Sequence, residues 1–245
     1  GAKPRFPLAV AGTGTLATAA HAQILARHWV IRMEKGGTSG DFGAQVQAYP
    51  CPVGAPPPAG DIAPETPLFY QSWHEPFALG FGFTEALAYP GGNGANISIV
   101  DIEYAWDVGH EDLENIQSTP ISGVPAPDYA YHGNGVLGIL AATDNAYGVL
   151  GAATSANVMV AHPEFIEEET IVYDVARSIV DALALLAPGD VILIEQQVYG
   201  PDFEYLPATW DPAVRDVIEV ASAVGVTVVA AAGNGLIDLD DLAYE

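Results

Sequence analysis

Short continuous apolar runs alternate along this chain with longer stretches whose apolar residues recur every three or four positions. Ile97-Ser98-Ile99-Val100, Val158-Met159-Val160, residues 191–194 and residues 226–231 are the runs. Each reads as a strand buried on both faces. Val172, Val175, Ile179, Leu183 and Leu186 make one helical stripe, which Pro188-Gly189 ends. Val214, Val217, Ile218 and Ala221 make a second. Asp211-Pro212 reads as its N-cap with proline at the first helical position, and Gly225 closes it. A third, glycine-studded helix opens at His132, and a short one covers residues 84–88. An extended piece is expected near Ile121, and the aromatic residues between 69 and 89 read as packing. Strands alternating with helices predict an α/β fold, a doubly wound, mostly parallel sheet in three layers with right-handed crossovers. In such sheets the chemistry sits at the carboxyl ends of the strands.

The first third of the chain breaks this rhythm. Pro50, Pro52, Pro56, Pro57, Pro58, Pro64 and Pro67 exclude helix and central strand. The expected organisation is an N-terminal segment over 1–48, a proline-rich linker over 49–66 and a main domain over 67–245. Charge divides the chain in the same way. Lys3, Arg5, Arg27, Arg32 and Lys35 are five of the seven basic residues and share the first 35 positions with one acid, Glu34. That segment is +4, and the remaining two cations and 30 acids make the rest −28, for a total of −24. Opposite signs allow the two parts to dock. So acidic a chain does not suit nucleic acid, whose phosphates need Lys and Arg. No apolar run reaches the length of a membrane span. One cysteine, Cys51, allows no internal disulfide.

Three readings compete for the N-terminal segment. Gly12-Thr13-Gly14-Thr15-Leu16-Ala17, followed by a helix-like stretch, a strand at 30–34 and Glu34, matches a dinucleotide-binding fingerprint. It would make the protein a nucleotide-binding oxidoreductase, but no second βαβ unit follows. Lys3, Arg5 and Ala20-His21-Ala22 fit a signal peptide. A helix-plus-strand piece over 22–33 fits a small propeptide, which is the favoured reading.

Three residues of the main domain carry candidate chemistry. Asp101 ends the first buried run. His132 opens His132-Gly133-Asn134-Gly135-Val136-Leu137-Gly138. Asn234 follows the last buried run in Ala230-Ala231-Ala232-Gly233-Asn234-Gly235, and His110-Glu111-Asp112-Leu113 lies between the first two. In this order the motifs resemble the subtilisin-like serine peptidases, or subtilases, over roughly residues 67–245. The resemblance implies that Asp101 orients the base, His132 is the general base and acid, and Asn234 donates to the oxyanion. Two departures matter. Where subtilases carry S-L-G on the substrate-binding edge, this chain has Glu195-Gln196-Gln197, and the acid there is expected to favour basic substrate side chains. The G-T-S-x-A nucleophile motif is absent downstream, and Gly37-Thr38-Ser39 lies in the wrong context.

The expectation is therefore a secreted, extracellular or periplasmic serine endopeptidase acting on polypeptides. Its nucleophile would come from a C-terminal fragment or a second chain, leaving the domain incomplete at its C-terminus. A non-catalytic binding protein on the same fold is the alternative. The resemblance implies no catalytic cofactor and leaves room for structural calcium without identifying its ligands. His74, His110 and His162 show no paired metal-ligand spacing.

Overall fold

A computed structural model describes residues 29–35, 42–48, 71–74, 76, 80–145, 148–239 and 244. The Gly12–Ala17 pattern, Ser39, Cys51 and the proline-rich linker lie outside the described residues. Near the amino end, β1 (Trp29–Lys35) pairs antiparallel with β2 (Phe42–Ala48). The strand over residues 6–10 that a dinucleotide-binding βαβ unit would pair with β1 lies outside the described residues.

The main sheet is four-stranded and parallel. Its strands are β3 (Ser98–Ile102), β4 (Asn157–Ala161), β7 (Val191–Ile194) and β10 (Thr227–Ala230), in the order β10-β7-β3-β4. All four are the apolar runs of the sequence. β3 sits inside the sheet with a neighbour on each side. Alternation along it sends Val100 and Ile102 to one face and Ile99 to the other. A single helical turn, α1 (Phe83–Ala86), precedes the sheet.

Each face has its own core. Val100, Ile102, Met159, Ile192 and Ile194 pack on α3 (Val175–Leu183) and α4 (Pro212–Ala223). Ile99, Val158 and Val160 pack on Leu137 and Ala141 of α2 (Ala130–Ala141), with Trp106 and Leu113. The result is the expected three layers. Asp211 caps α4 by accepting from the Ala213 N–H at 2.8 Å, with Pro212 next. Gly225, at φ +86°, closes the chain beyond it in the left-handed region that favours glycine.

The structure corrects the expected helix between 172 and 186. Val172 belongs to a hairpin, β5 (Glu164–Glu167) and β6 (Thr170–Tyr173), whose turn places Glu168 and Glu169 at positive φ. The helix starts only at Val175, because Asp174 accepts from the Arg177 N–H and caps it. Arg177 pairs with Glu167 at 2.9 Å and lies over the Phe165 ring. A second hairpin, β8 (Gln197–Tyr199) with β9 (Tyr205–Pro207), follows β7.

Asp112 fastens a loop to this body. Its Oδ2 accepts the Val149 N–H at 3.0 Å, while its own carbonyl accepts from Thr143. Burial, partly offset by the Val149 bond, pushes its carboxyl up to about 7. A raised carboxyl favours folding most below about pH 4, and that stability is lost as pH rises toward 7. The protein should therefore lose on the order of a few kcal/mol between pH 4 and 7 at this site, since each pH unit separating the folded and unfolded pKa is worth roughly 1.4 kcal/mol. Asp112→Asn should flatten that part of a urea-denaturation profile. An unchanged slope in the variant would refute the assignment.

Candidate active site

The site forms where α2 crosses the carboxyl end of β3. Helix α2 begins at Ala130, two residues before the predicted start, behind a 3-10 turn over Pro127–Tyr129. His132 therefore lies in its first turn and reaches the sheet end. Its Nδ1 is hydrogen-bonded to Oε2 of Glu103. Glu103 is fully buried and stands one residue beyond the last residue of β3.

The sequence expectation gave that position to Asp101, whereas the Nδ1 contact is to Glu103. Asp101 is paired across both sheet neighbours, opposite Val160 and Leu193. It is fully buried, and neither carboxylate oxygen has a hydrogen-bond partner. Asp101 and Glu103 point to the same side, two residues apart. At about 3.3 Å per residue that sets them roughly 7 Å apart along the strand. Asp101 thus lies beneath the helix, and Glu103 clears the sheet end. Burial first, then repulsion from Glu103 and Glu195, raises the Asp101 carboxyl well above its ordinary value.

The close approach of α2 rests on Gly133. A Cβ there would collide with the Ala105 carbonyl and crowd Cγ of Glu103 at 2.9 Å. Next to it, Oδ1 of Asn134 accepts the Asp107 N–H at 2.7 Å and pins the loop after β3. On the other side, His162 binds the Glu103 backbone carbonyl through Nδ1 at 2.7 Å, with its ring against Trp106. Burial, only partly offset by that bond and by attraction to Glu103, lowers the His162 pKa.

Burial also pulls the His132 pKa down. Attraction to Glu103, their hydrogen bond and a further attraction to Glu195 outweigh it, so His132 titrates above its ordinary value. His132 opens onto a cavity of about 430 Å³. Tyrosines form much of its wall. The Tyr104 ring lies 4.9 Å from Tyr129 and 6.2 Å from Tyr173, and Tyr199 stacks on Tyr205 at 5.0 Å. Burial pushes the Tyr104 hydroxyl up to about 12 and raises that of Tyr173. Both stay neutral at physiological pH.

Glu195, Gln196 and Gln197 form the far wall and differ from one another. Glu195 lines the cavity half-buried. Gln196 is turned inward, donating to the Ile102 carbonyl at 3.1 Å and accepting from the Tyr173 hydroxyl at 2.9 Å. Oε1 of Gln197 accepts both the backbone N–H of Asn234 at 3.0 Å and its side-chain amide at 3.2 Å. One amide hydrogen of Asn234 is thereby committed and the other remains. Among the described residues, the cavity wall includes no serine, threonine or cysteine.

The Subtilase family model (Peptidase_S8) matches residues 61–244, and the chain belongs to that family. Subtilisin E of Bacillus subtilis (strain 168) is 29% identical over 158 residues, which take in 61% of this chain and 37% of that protein. Subtilisin of Bacillus pumilus is 28% identical over 61% of this chain and 51% of its own length. The match thus spans about half or less of these relatives. Solved structures similar to this chain include a protease of Pseudoalteromonas arctica PAMC 21717, at 20% identity and TM-score 0.48 over 68% of this chain and 58% of that one. Fervidolysin of Fervidobacterium pennivorans is 19% identical, at TM-score 0.44, over 76% of this chain and 30% of its own.

Two glycines of α2 test the geometry. Gly133→Ala should destabilise the fold and separate Glu103 from His132. Gly135 has open space where its Cβ would lie, and Gly135→Ala should be neutral or stabilising by up to about 1 kcal/mol. Urea denaturation of both variants checks this, and equal effects would show that α2 does not depend on close approach at Gly133.

Proposed function

We propose that this chain supplies the base, the orienting acid and the oxyanion donor of a subtilisin-type serine endopeptidase. The observation that carries the reading is the buried Glu103–His132 pair at the carboxyl end of a parallel sheet, open to a cavity. Glu103 takes the orienting role for which the sequence suggested Asp101. Its bond to Nδ1 fixes the imidazole tautomer and leaves Nε2 to take a proton from the nucleophile. Asn234, its amide oriented by Gln197, donates its remaining hydrogen to the oxyanion. The tyrosine wall receives apolar parts of a polypeptide substrate, with Glu195 and Gln197 at its edge.

The nucleophilic serine lies outside these 245 residues in this reading, carried by a further segment or a second chain. Residues 1–48 act as a propeptide, 49–66 as the linker where processing falls, and the enzyme works outside the cell. No catalytic cofactor takes part.

Kinetics of the intact enzyme test the roles. Glu103→Gln should lower kcat by about 10⁴-fold, the scale of losing a triad carboxylate. Asp101→Asn should leave kcat within a few-fold. Asn234→Ala should cost about 10²–10³-fold. An Asp101→Asn loss as large as that of Glu103→Gln would return the role to Asp101. The 245-residue chain alone should not react with a fluorophosphonate, which needs a serine within reach of the base. Stoichiometric labelling abolished by His132→Ala would place the nucleophile within the chain, with Ser39 the first candidate. An intact protein that binds peptides and hydrolyses none would support the non-catalytic alternative.

A further inference from the structure

We propose that Glu195 is a second carboxylate acting on His132, a positioning residue that stabilises the imidazolium from the strand next to the one that carries Glu103. Strand register places it there. β3 and β7 run parallel with Ile102 opposite Ile194, so the next residues, Glu103 and Glu195, emerge side by side at the carboxyl end of the sheet. The Glu195 N–H points to the Ile102 carbonyl at 3.4 Å, which fixes the backbone at that exit. Its side chain then enters the same cavity as His132.

Among the described residues that line the cavity, His132 is the group that can carry positive charge. Arg177 is taken by Glu167, outside the cavity. The other titratable groups that line the cavity include Tyr104, Tyr131 and Tyr173, each raised above the ordinary tyrosine value by burial first, and Tyr129, Tyr199 and Tyr205. Asp101 lies one pleat behind Glu103, and its carboxyl is raised by burial first. Among the described residues, Glu103 is the carboxyl group bonded to Nδ1 of His132, and Glu195 is the one that lines the cavity with it. Burial raises the Glu195 carboxyl, attraction to His132 pulls it down, and repulsion from Glu103 raises it again.

Such an arrangement acts selectively on the transition state. While the imidazole is neutral, nothing offsets the repulsion between the two neighbouring carboxylates. When the ring accepts the serine proton, both attract it, and the repulsion is offset. Interactions that strengthen only as charge develops raise kcat. The acid at the substrate-binding edge thus serves the base rather than a basic substrate side chain. This rests on His132 being the base.

Nuclear magnetic resonance on the 245-residue chain tests the pairing without catalysis. Titration of the His132 ring should give a pKa lower by about one unit in Glu195→Gln, within the range for loss of an adjacent opposite charge. In the wild-type chain, the Glu195 side-chain carboxyl carbon should show an inflection at the His132 pKa, a readout that does not depend on the variant's folding. An unchanged His132 pKa, or no such inflection, would overturn the proposal. In the intact enzyme, Glu195→Gln should move the acid limb of the kcat profile down by the same interval with KM little changed. A changed preference between Arg, Lys and Leu substrates with an unmoved limb would overturn it in favour of substrate contact. Activity that survives His132→Ala would instead sink the catalytic reading and leave the pairing to stand on the resonance data.

Discussion

The site depends on how closely helix α2 lies over the end of strand β3. A few tenths of an ångström decide whether the imidazole of His132 meets the carboxylate of Glu103. Gly133 permits that distance by presenting no side chain to the Ala105 carbonyl. Asn134 and His162 hold the backbone on either side of the contact. Leu137 and Ala141, fully buried further along the same helix, anchor it to the sheet. The core on this face thus fixes the geometry of two side chains at its rim, because a close-packed interior transmits small displacements.

Burial separates the roles of the carboxyl groups. Asp101 has no donor for either oxygen, so the cheaper form in the interior is the protonated one. Glu103 is equally buried but has the imidazole, and one of its oxygens also accepts the Tyr104 N–H at 2.7 Å. Glu195 stands at the cavity wall. Three acids at one sheet end therefore have three environments, set by depth along the strand for Asp101 and Glu103 and by the choice of strand for Glu195.

Much of the fold was legible in the sequence. The four sheet strands are the continuous apolar runs, and Asp211-Pro212 announced α4 as a cap and a preset φ. The β5–β6 hairpin was not legible, because Val172 falls in phase with the stripe of the helix that follows it. His132 and its glycine were legible as a motif. The acid bonded to His132 was not legible, because Asp101 and Glu103 share one face and an apolar run does not say which of two acids clears the sheet end. A signal was present: Ile102, between them, extends the buried run by one residue, which makes Asp101 interior. Gln197 was placed at the substrate edge, but its bond to Asn234 joins residues 37 positions apart, which no local pattern carries. The tyrosine wall likewise gathers residues from several elements.

The proton on Nδ1 of His132 tests the central pairing most directly. Held between the ring nitrogen and the Glu103 carboxylate, it should give a far-downfield proton resonance in the wild-type chain. That resonance should persist in Asp101→Asn and vanish or move sharply upfield in Glu103→Gln. A resonance that survives Glu103→Gln and is lost in Asp101→Asn would contradict the account and make Asp101 the partner of the base.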